Sequence, residues 1–490
     1  MDYEKRAKRQ SLRVIISESI MVLTVIVLVA VLAFVVSGYW VNSDFKVERQ
    51  GMLQISSVPT GANVSVDGTS PWFQRTNTSK VLSSGEHHVV LTKDGYDSWS
   101  KTVTIGEGLL YRLHYPRLFL NNRTKSTVYD VAGAKFASVS RDHKQMLIVG
   151  DSCEWTLLDL TNDTPTPKTL DIPKYFTCTV VPDESGTPNN DTTDAATQSF
   201  AGTITSTQWS GDNAHILISA SVAGATEWVL LDIRDIKNSI NLTREFAADF
   251  TDMRIFDHSA SNLLAVRAGN LHKINVSSRQ VSAVLVEGVY HYDSYGQDII
   301  YVNATTLGIL KGASDQEVLT TFTAASSGEA DGSSVMPAPA ITASNTSRAY
   351  ISRFYEDKYI TIVTGDTITV YNYDSKERVY ESTISFVPEQ IYLGIYGDYV
   401  FMRSGTTAAT LDMESRTIAY WSLACGNPAW LESNLFYCVD SGVLSVYDYD
   451  GLNHRSLATS VANDFPVTIT DNKWLYYFSD NSLVREIIVQ

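Results

Sequence analysis

Cysteine is scarce in this chain, four in 490 residues, and none of Cys153, Cys178, Cys425 and Cys438 sits in a C-x-x-C pair. Nor is there an H-E-x-x-H motif or a Cys/His cluster, so the sequence offers no set of metal ligands. Neither G-x-G-x-x-G nor a P-loop occurs, which removes the usual backbone cradles for nucleotide phosphates. No G-x-S-x-G elbow is present, and no helix is expected outside the N-terminal segment to carry one. No catalytic residue, metal or cofactor is therefore assigned. Charge is thin as well: 19% of residues are charged and 44% are hydrophobic, the balance of a folded chain. Positive charge is the scarcer sign. The formal net charge is -16; residues 1–13 contribute +3, leaving -19 on the rest. Duplex nucleic acid is excluded as an expected partner, because neutralising its phosphates needs Lys and Arg.

What is present begins with IMVLTVIVLVAVLAFVV, from Ile20 to Val36, where Thr24 is the one polar residue. With Val14, Ile15 and Ile16 the run is about 23 residues, roughly 35 Å of helix, enough to span a bilayer core about 30 Å thick. We assign residues 1–13 as a cytoplasmic basic tail and 14–38 as a transmembrane helix. Lys5, Arg6, Lys8, Arg9 and Arg13 precede the run and no basic cluster follows it, which puts the N-terminus inside and the body outside. Tyr39 and Trp40 stand where an outer interfacial aromatic belt belongs. A cleaved signal peptide is the competing reading, with Val35 and Ser37 as a weak cleavage site. The apolar run is longer than the usual 7–15-residue core of such a peptide.

A compact stretch with dense turn signals follows. Leu53 and Ile55, Val64 and Val66, and Trp99, Val103 and Ile105 alternate with polar neighbours, the period of half-buried strands. Pro59-Thr60-Gly61, Asp67-Gly68, Ser84-Gly85 and Asp94-Gly95 punctuate them. The reading is a small β-sandwich over residues 51–115. Val58-Pro59-Thr60-Gly61-Ala62, Val64-Ser65-Val66-Asp67-Gly68, Gly85-Glu86-His87 and Gly95-Tyr96 resemble the PEGA domain. Thr60 replaces the family's Glu, and Ser70-Pro71 stands where a Thr-Pro pair is usual. The resemblance implies a bacterial envelope or surface location more than any chemistry.

From residue 124 to 490 short apolar hairpins recur. They include HKQMLIVGDSCEWTLLDL, GQDIIYVNATTLGILKG, DKYITIVTGDTITVYNYD and NKWLYYFSDNSLVREIIV, eight copies in all. Several are spaced by about 35–40 residues, the rhythm of a β-propeller with one blade per repeat. That rhythm is similar to the propellers of WD-repeat and Tol-system type, although no Gly-His…Trp-Asp signature occurs. The expected fold class is all-β: a transmembrane helix, a PEGA-type sandwich and a propeller of about eight blades. The last repeat supplies three strands, so residues 125–131 are expected to complete it by pairing antiparallel with 482–489. Residues 182–202 and 324–346 are polar or Ala/Ser/Pro-rich and are read as surface insertions.

Few residues carry chemical signals. His87 and His88 are adjacent on a strand, so they point to opposite faces and cannot share a ligand. Asp448 and Asp450 lack the distal Glu of an EF-hand, and an Asp-Gly turn accounts for them. SRDHKQM and YDSYGQD loosely resemble the Asp-containing boxes of sialidase-like propellers. The cysteines are candidates for two disulfides, the alternative being four buried thiols. Cys425 and Cys438 flank the Leu431–Asn434 turn on neighbouring strands. Cys153 and Cys178 fall in one blade, before its third strand and within its fourth. The expected function is a membrane-anchored extracytoplasmic binding or scaffold module for an envelope protein or glycan, its remaining partner the bilayer. The alternative is an extracytoplasmic hydrolase or lyase sited at the central channel, which inward-facing Asp, Glu, His or Arg side chains at one channel mouth would favour.

Overall fold

A computed structural model describes residues 2–36, 39–41, 47–69, 74–162, 164–180, 198–312, 314–321, 344, 346–423 and 425–490. The chain divides into two compact units, residues 1–123 with 487–490, and residues 124–486. In the first unit, α1 (Asp2–Val36) contains an 18-residue window, Ile16–Ala33, with a mean hydropathy of 2.5 and no burial against protein. A lipid-facing helix needs no polar face, so its apolar residues run all round it. Such a helix fits a single-pass anchor or a signal sequence. A short antiparallel hairpin, β1 (Tyr39–Val41) with β2 (Val47–Arg49), follows.

Six strands come next: β3 (Gly51–Ile55), β4 (Asn63–Val66), β5 (Thr78–Leu82), β6 (Gly85–Thr92), β7 (Trp99–Ile105) and β8 (Leu110–Leu113). They form two three-stranded sheets, β5-β3-β8 and β4-β6-β7. Alternation drives the arrangement. Leu53, Ile55 and Leu113 from one sheet, and Val64, Val89, Leu91 and Trp99 from the other, are buried in one shared core. The Asp67-Gly68 turn needs left-handed backbone at both residues, with φ of 51° and 76°. Asp67 tolerates it because its carboxylate accepts from the His88 N–H at 2.9 Å and bonds His87 Nδ1 at 2.7 Å. Residues 70–72, including the Ser70-Pro71 pair, lie outside the described residues.

The second unit holds eight four-stranded antiparallel sheets. We number them in chain order: sheet 1 (residues 134–171), sheet 2 (202–241), sheet 3 (250–281), sheet 4 (289–321), sheet 5 (348–383), sheet 6 (390–422), sheet 7 (429–459) and sheet 8. In sheet 8, Thr468–Thr470, Trp474–Ser479 and Ser482–Ile487 are joined by Lys125–Asp130. The strand from the start of the unit pairs antiparallel with the last one, Ser482 opposite Asp130 through Glu486 opposite Lys125. The expected pairing of 125–131 with 482–489 is thus present over residues 125–130 and 482–486.

Second strands carry unbroken apolar runs, such as Met146–Val149 and Ile299–Val302, which are buried on both faces. A strand alternates only when one face meets water; these are covered on both sides by neighbouring sheets. The cores run from sheet to sheet. Leu147, Trp155, Ile216 and Ile218 share a core between sheets 1 and 2. Met146, Ile148, Tyr476, Phe478 and Leu483 share another between sheets 1 and 8. His143 Nδ1 in sheet 1's first turn lies 2.7 Å from Thr468 Oγ1 of sheet 8. The array is therefore propeller-like, with first and last sheets in contact.

Both disulfides are formed, with Cα–Cα separations of 6.3 Å for Cys153–Cys178 and 6.1 Å for Cys425–Cys438. Their settings differ from expectation. Sheet 1's fourth strand is Thr166–Asp171, and Cys178 instead begins an extra strand, Cys178–Val180, paired with Gln198–Phe200. Phe200 buries against Trp155 and Phe176, which is why the chain at 198–200 is strand rather than insertion. Residues 202–209 likewise belong to sheet 2. Cys425 precedes its strand, which begins at Ala429; Arg403 holds that loop by donating to the carbonyls of Cys425 and Gly426. A second helix, α2 (Leu242–Phe246), also departs from the all-strand reading, capped by the Asn241 side chain accepting from the Arg244 N–H at 2.8 Å. Of the two expected insertions, 182–202 and 324–346, residues 182–197, 324–343 and 345 lie outside the described residues.

Candidate functional site

The first strands and first turns of sheets 1 to 6 enclose a cavity of about 900 Å³. Its wall is built from the turns upward. In sheet 1, Ser140 Oγ donates to Asp142 Oδ1 at 2.6 Å and accepts from the Gln145 N–H at 2.9 Å. In sheet 2, Ser210 and Asp212 repeat this geometry, again at 2.6 Å, with His215 as donor to Ser210 Oγ. The Ser-x-Asp spacing thus closes a tight turn whose fourth residue, His143 or Asn213, takes left-handed backbone. SRDHKQM is accounted for by turn formation. The turns then lace together: Asn213 Oδ1 accepts from the Arg141 N–H, and the His258 carbonyl from the Gly211 N–H. Arg141 Nη1 lies 3.3 Å from His258 Nδ1.

Below the turns, the first strands of sheets 1 to 4 each offer a polar side chain to the next sheet. Ser138 Oγ lies 2.8 Å from Thr207 Oγ1. Gln208 Oε1 accepts from the Ile255 N–H at 2.8 Å, and Arg254 Nη1 donates to the Tyr292 carbonyl at 3.2 Å. Asp293 Oδ2 accepts from the Ile351 N–H at 3.0 Å. Innermost strands are edges, and Gln208, Arg254 and Asp293 satisfy backbone groups that no fifth strand pairs.

The electrostatics follow from that packing. Burial works against the Arg254 charge, but Tyr292, Asp252 and Asp293 outweigh it and keep the guanidinium protonated. Its Cζ lies 4.6 Å from the Tyr292 ring centroid, a cation–π contact. Burial pushes the Asp293 carboxyl up against the pull of its N–H donors. Burial, aided by Arg254 and Arg348, holds the His291 imidazole down at about 4, and burial with the nearby Asp293 lifts Tyr350 to about 12. Next to the wall stand groups open to water: Tyr355 is 63% exposed, Tyr396 is 70% exposed and its neighbour Ile395 is 45% exposed. Arg353 donates from Nε to the Tyr355 carbonyl at 3.1 Å and lines the same cavity.

The cavity thus gathers Arg141, Asp142, Arg254, Asp257, His258, Asp293 and Arg353 from sheets more than a hundred residues apart. It brings YDSYGQD to the site through Asp293 and Tyr295, but not the cysteines, His87 or Asp448. His87 is buried beside Asp67, while His88 is exposed on the opposite face of its strand. Asp448 accepts from Asn453 Nδ2 at 2.8 Å in its own turn. Among the described residues, no group of three His, Cys, Asp or Glu side chains is placed to hold a metal ion. The rim tyrosines and arginines escaped the sequence reading. The available signal was positional, a polar residue recurring near the end of the first strand in successive repeats.

Sheet order and core sharing define the class: an all-β chain with an apolar N-terminal helix, a small two-sheet module and a propeller-like array. Residues 50–116 match the PEGA domain family. A comparison with curated protein sequences gives no match. Among solved structures, the chain is similar to the β-propeller domain of Cps50 (Swd1) from Myceliophteria thermophila. The identity is 9% and the TM-score 0.38, over 76% of this chain and 99% of that one.

Proposed function

We propose that the protein is a membrane-anchored extracytoplasmic binding module of the cell envelope. In this reading, α1 holds the N-terminus in the cytoplasm, residues 51–115 form a PEGA sandwich, and sheets 1–8 close as an eight-bladed ring. The two disulfides support an oxidising, extracytoplasmic setting for the body. The core shared by sheets 1 and 8 supports closure. The observation that carries the binding role is the rim formed by Tyr355, Ile395 and Tyr396 beside Arg353, solvent-facing at a cavity where six sheets converge. Aromatic faces flanked by guanidinium donors suit a glycan or a peptide strand.

One observation favours the hydrolase or lyase reading: acids, arginines and His258 meet at one cavity mouth, as that reading requires. Their partners argue the other way. Asp142 caps a turn, Asp257 accepts from Gln297, and Asp293 accepts from Ile351. Photocrosslinking in intact cells separates the readings, with p-benzoylphenylalanine at position 355 or 396 and at exposed Tyr420 on an outer strand as control. A discrete adduct from the rim and not from 420 is expected. No adduct, or the same adduct from both, overturns the binding role. Turnover of that adduct's ligand, abolished by Asp293→Asn, would establish the enzyme reading.

A further inference from the structure

Among the described residues from 39 to 123, the large apolar side chains that are exposed are Tyr39, Met52, Val81, Leu109 and Leu110. Register shows that they are not scattered. Met52 on β3 pairs with Val81 on β5 and with Leu110 on β8, so three of them form one row across the sheet. They are 42%, 55% and 41% exposed, and Leu109 beside them is 65% exposed. The opposite face of the same strands carries Leu53, Ile55 and Leu113, which are fully buried. The row is therefore a second apolar surface on a sheet that already has its core. Exposed Arg112 stands one row further along, on β8 opposite Gln54.

The chain path ties this row to α1. The β1–β2 hairpin reverses direction, placing Arg49 opposite Tyr39, with the Arg49 Cζ 5.9 Å from the Tyr39 ring centroid. Gln50 and Met52 are then pinned by hydrogen bonds with Gly108 and Leu109 at 3.0 and 2.9 Å. Three residues from Val36 to Tyr39, one strand pairing, and three residues from Arg49 to Met52 place the row within about 27 Å of the helix end. Without the hairpin, the same sequence separation would reach about twice as far.

We propose that this row is a lipid contact: the outer face of β5-β3-β8 rests at the headgroup–acyl boundary of the leaflet from which α1 emerges. The inference depends on α1 being a retained anchor. A tethered surface needs little intrinsic affinity, because the leash holds it at high effective concentration. Arg49 and Arg112 flank the row as donors to lipid phosphates, in a body that is otherwise strongly acidic. A second copy of the chain is the poorer occupant. Four side chains fall well short of the roughly 800 Å² per partner that a stable dimer buries.

The test uses the full chain in phosphatidylcholine vesicles, with and without brominated acyl chains. The four native cysteines stay disulfide-bonded, so one bimane label is placed through Met52→Cys or, independently, Val81→Cys. Leu28→Cys in α1 reports anchoring, and Glu86→Cys on the other sheet reports the bulk face. Expected are strong quenching at 28 and quenching at 52 and 81 at least threefold above that at 86. Quenching at 28 with 52 and 81 no different from 86 overturns the lipid contact and leaves the anchor standing. No quenching at 28 overturns the anchor, and the contact with it. Shielding at 52 and 81 that grows with protein density and ignores the bromines assigns the face to a second copy, which also overturns the proposal.

Discussion

The first turn of sheet 6 buries a carboxyl group with a measurable cost. Asp398 follows Tyr396 and Gly397, and burial, with the charge of Asp412 adding, raises its pKa from 3.8 to about 6. The site is built around it: a Cβ on Gly394 would collide with Asp398 Oδ1. Well below pH 3.8 the group is protonated in folded and unfolded chains alike, and its contribution is complete. As pH rises towards 6, the unfolded chain loses the proton first, so stability falls and the loss is complete above 6. A shift of this size corresponds to at most about 3 kcal/mol. Asp398→Asn keeps the shape and removes the charge. Guanidinium unfolding of the full chain in mild detergent should show the variant more stable than the parent at pH 7.5, by up to about 3 kcal/mol. The two should converge as pH falls below 3.8. A variant that is less stable at pH 7.5, or a difference that does not change with pH, would refute the reasoning.

Three other outcomes are expected. Opening the Cys425–Cys438 loop, with its sequence separation of 13, by changing both residues to Ser should cost about 3 kcal/mol in the same unfolding assay. Deleting residues 482–490 removes the strand between Trp474–Ser479 and Lys125–Asp130, so sheets 1–8 should lose cooperative unfolding and become protease-sensitive throughout; a merely trimmed tail would count against closure. Burial opposes the His87 charge, but Asp67 and the Ser83 carbonyl outweigh it and raise the imidazole pKa above 6.5. Its stabilisation is thus complete below 6.5 and lost as pH climbs past the raised value, and hydrogen exchange at the His88 amide should accelerate at pH 8 relative to pH 6 beyond the intrinsic rate.

Much of the fold is legible in the sequence because it is periodic. The α1 run, the alternation of Leu53 and Ile55, and the repeated hairpins each impose a pattern over many residues. The pairing of Lys125–Asp130 with Ser482–Ile487 follows from counting strands, since an incomplete last repeat and an orphan first strand suit each other. Cys178 went astray because an added strand pair and a polar stretch stand between sheets 1 and 2, where strand counting has no fixed period. The site was least legible. Arg141, Arg254, Arg353 and Tyr396 each occupy one position in separate repeats, and only folding brings them to one cavity. Where a local motif did stand out, as in Ser140-Arg141-Asp142, its signal came from the turn it closes.

The strand Lys125–Asp130 also imposes an order in time. A ribosome delivers residues 125–130 early, and their partner, Ser482–Ile487, some 350 residues later. Bringing those ends together closes a loop of some 350 residues, an entropic cost of about 5 kcal/mol before any contact repays it. Until residues 474–487 emerge, the chain holds a completed sheet 1 whose face lacks Tyr476, Phe478 and Leu483, along with an unpaired strand edge. Such surfaces invite aggregation. Synthesis of this protein therefore includes an interval in which sheets 1–7 have all been delivered and sheet 8 still lacks its other strands.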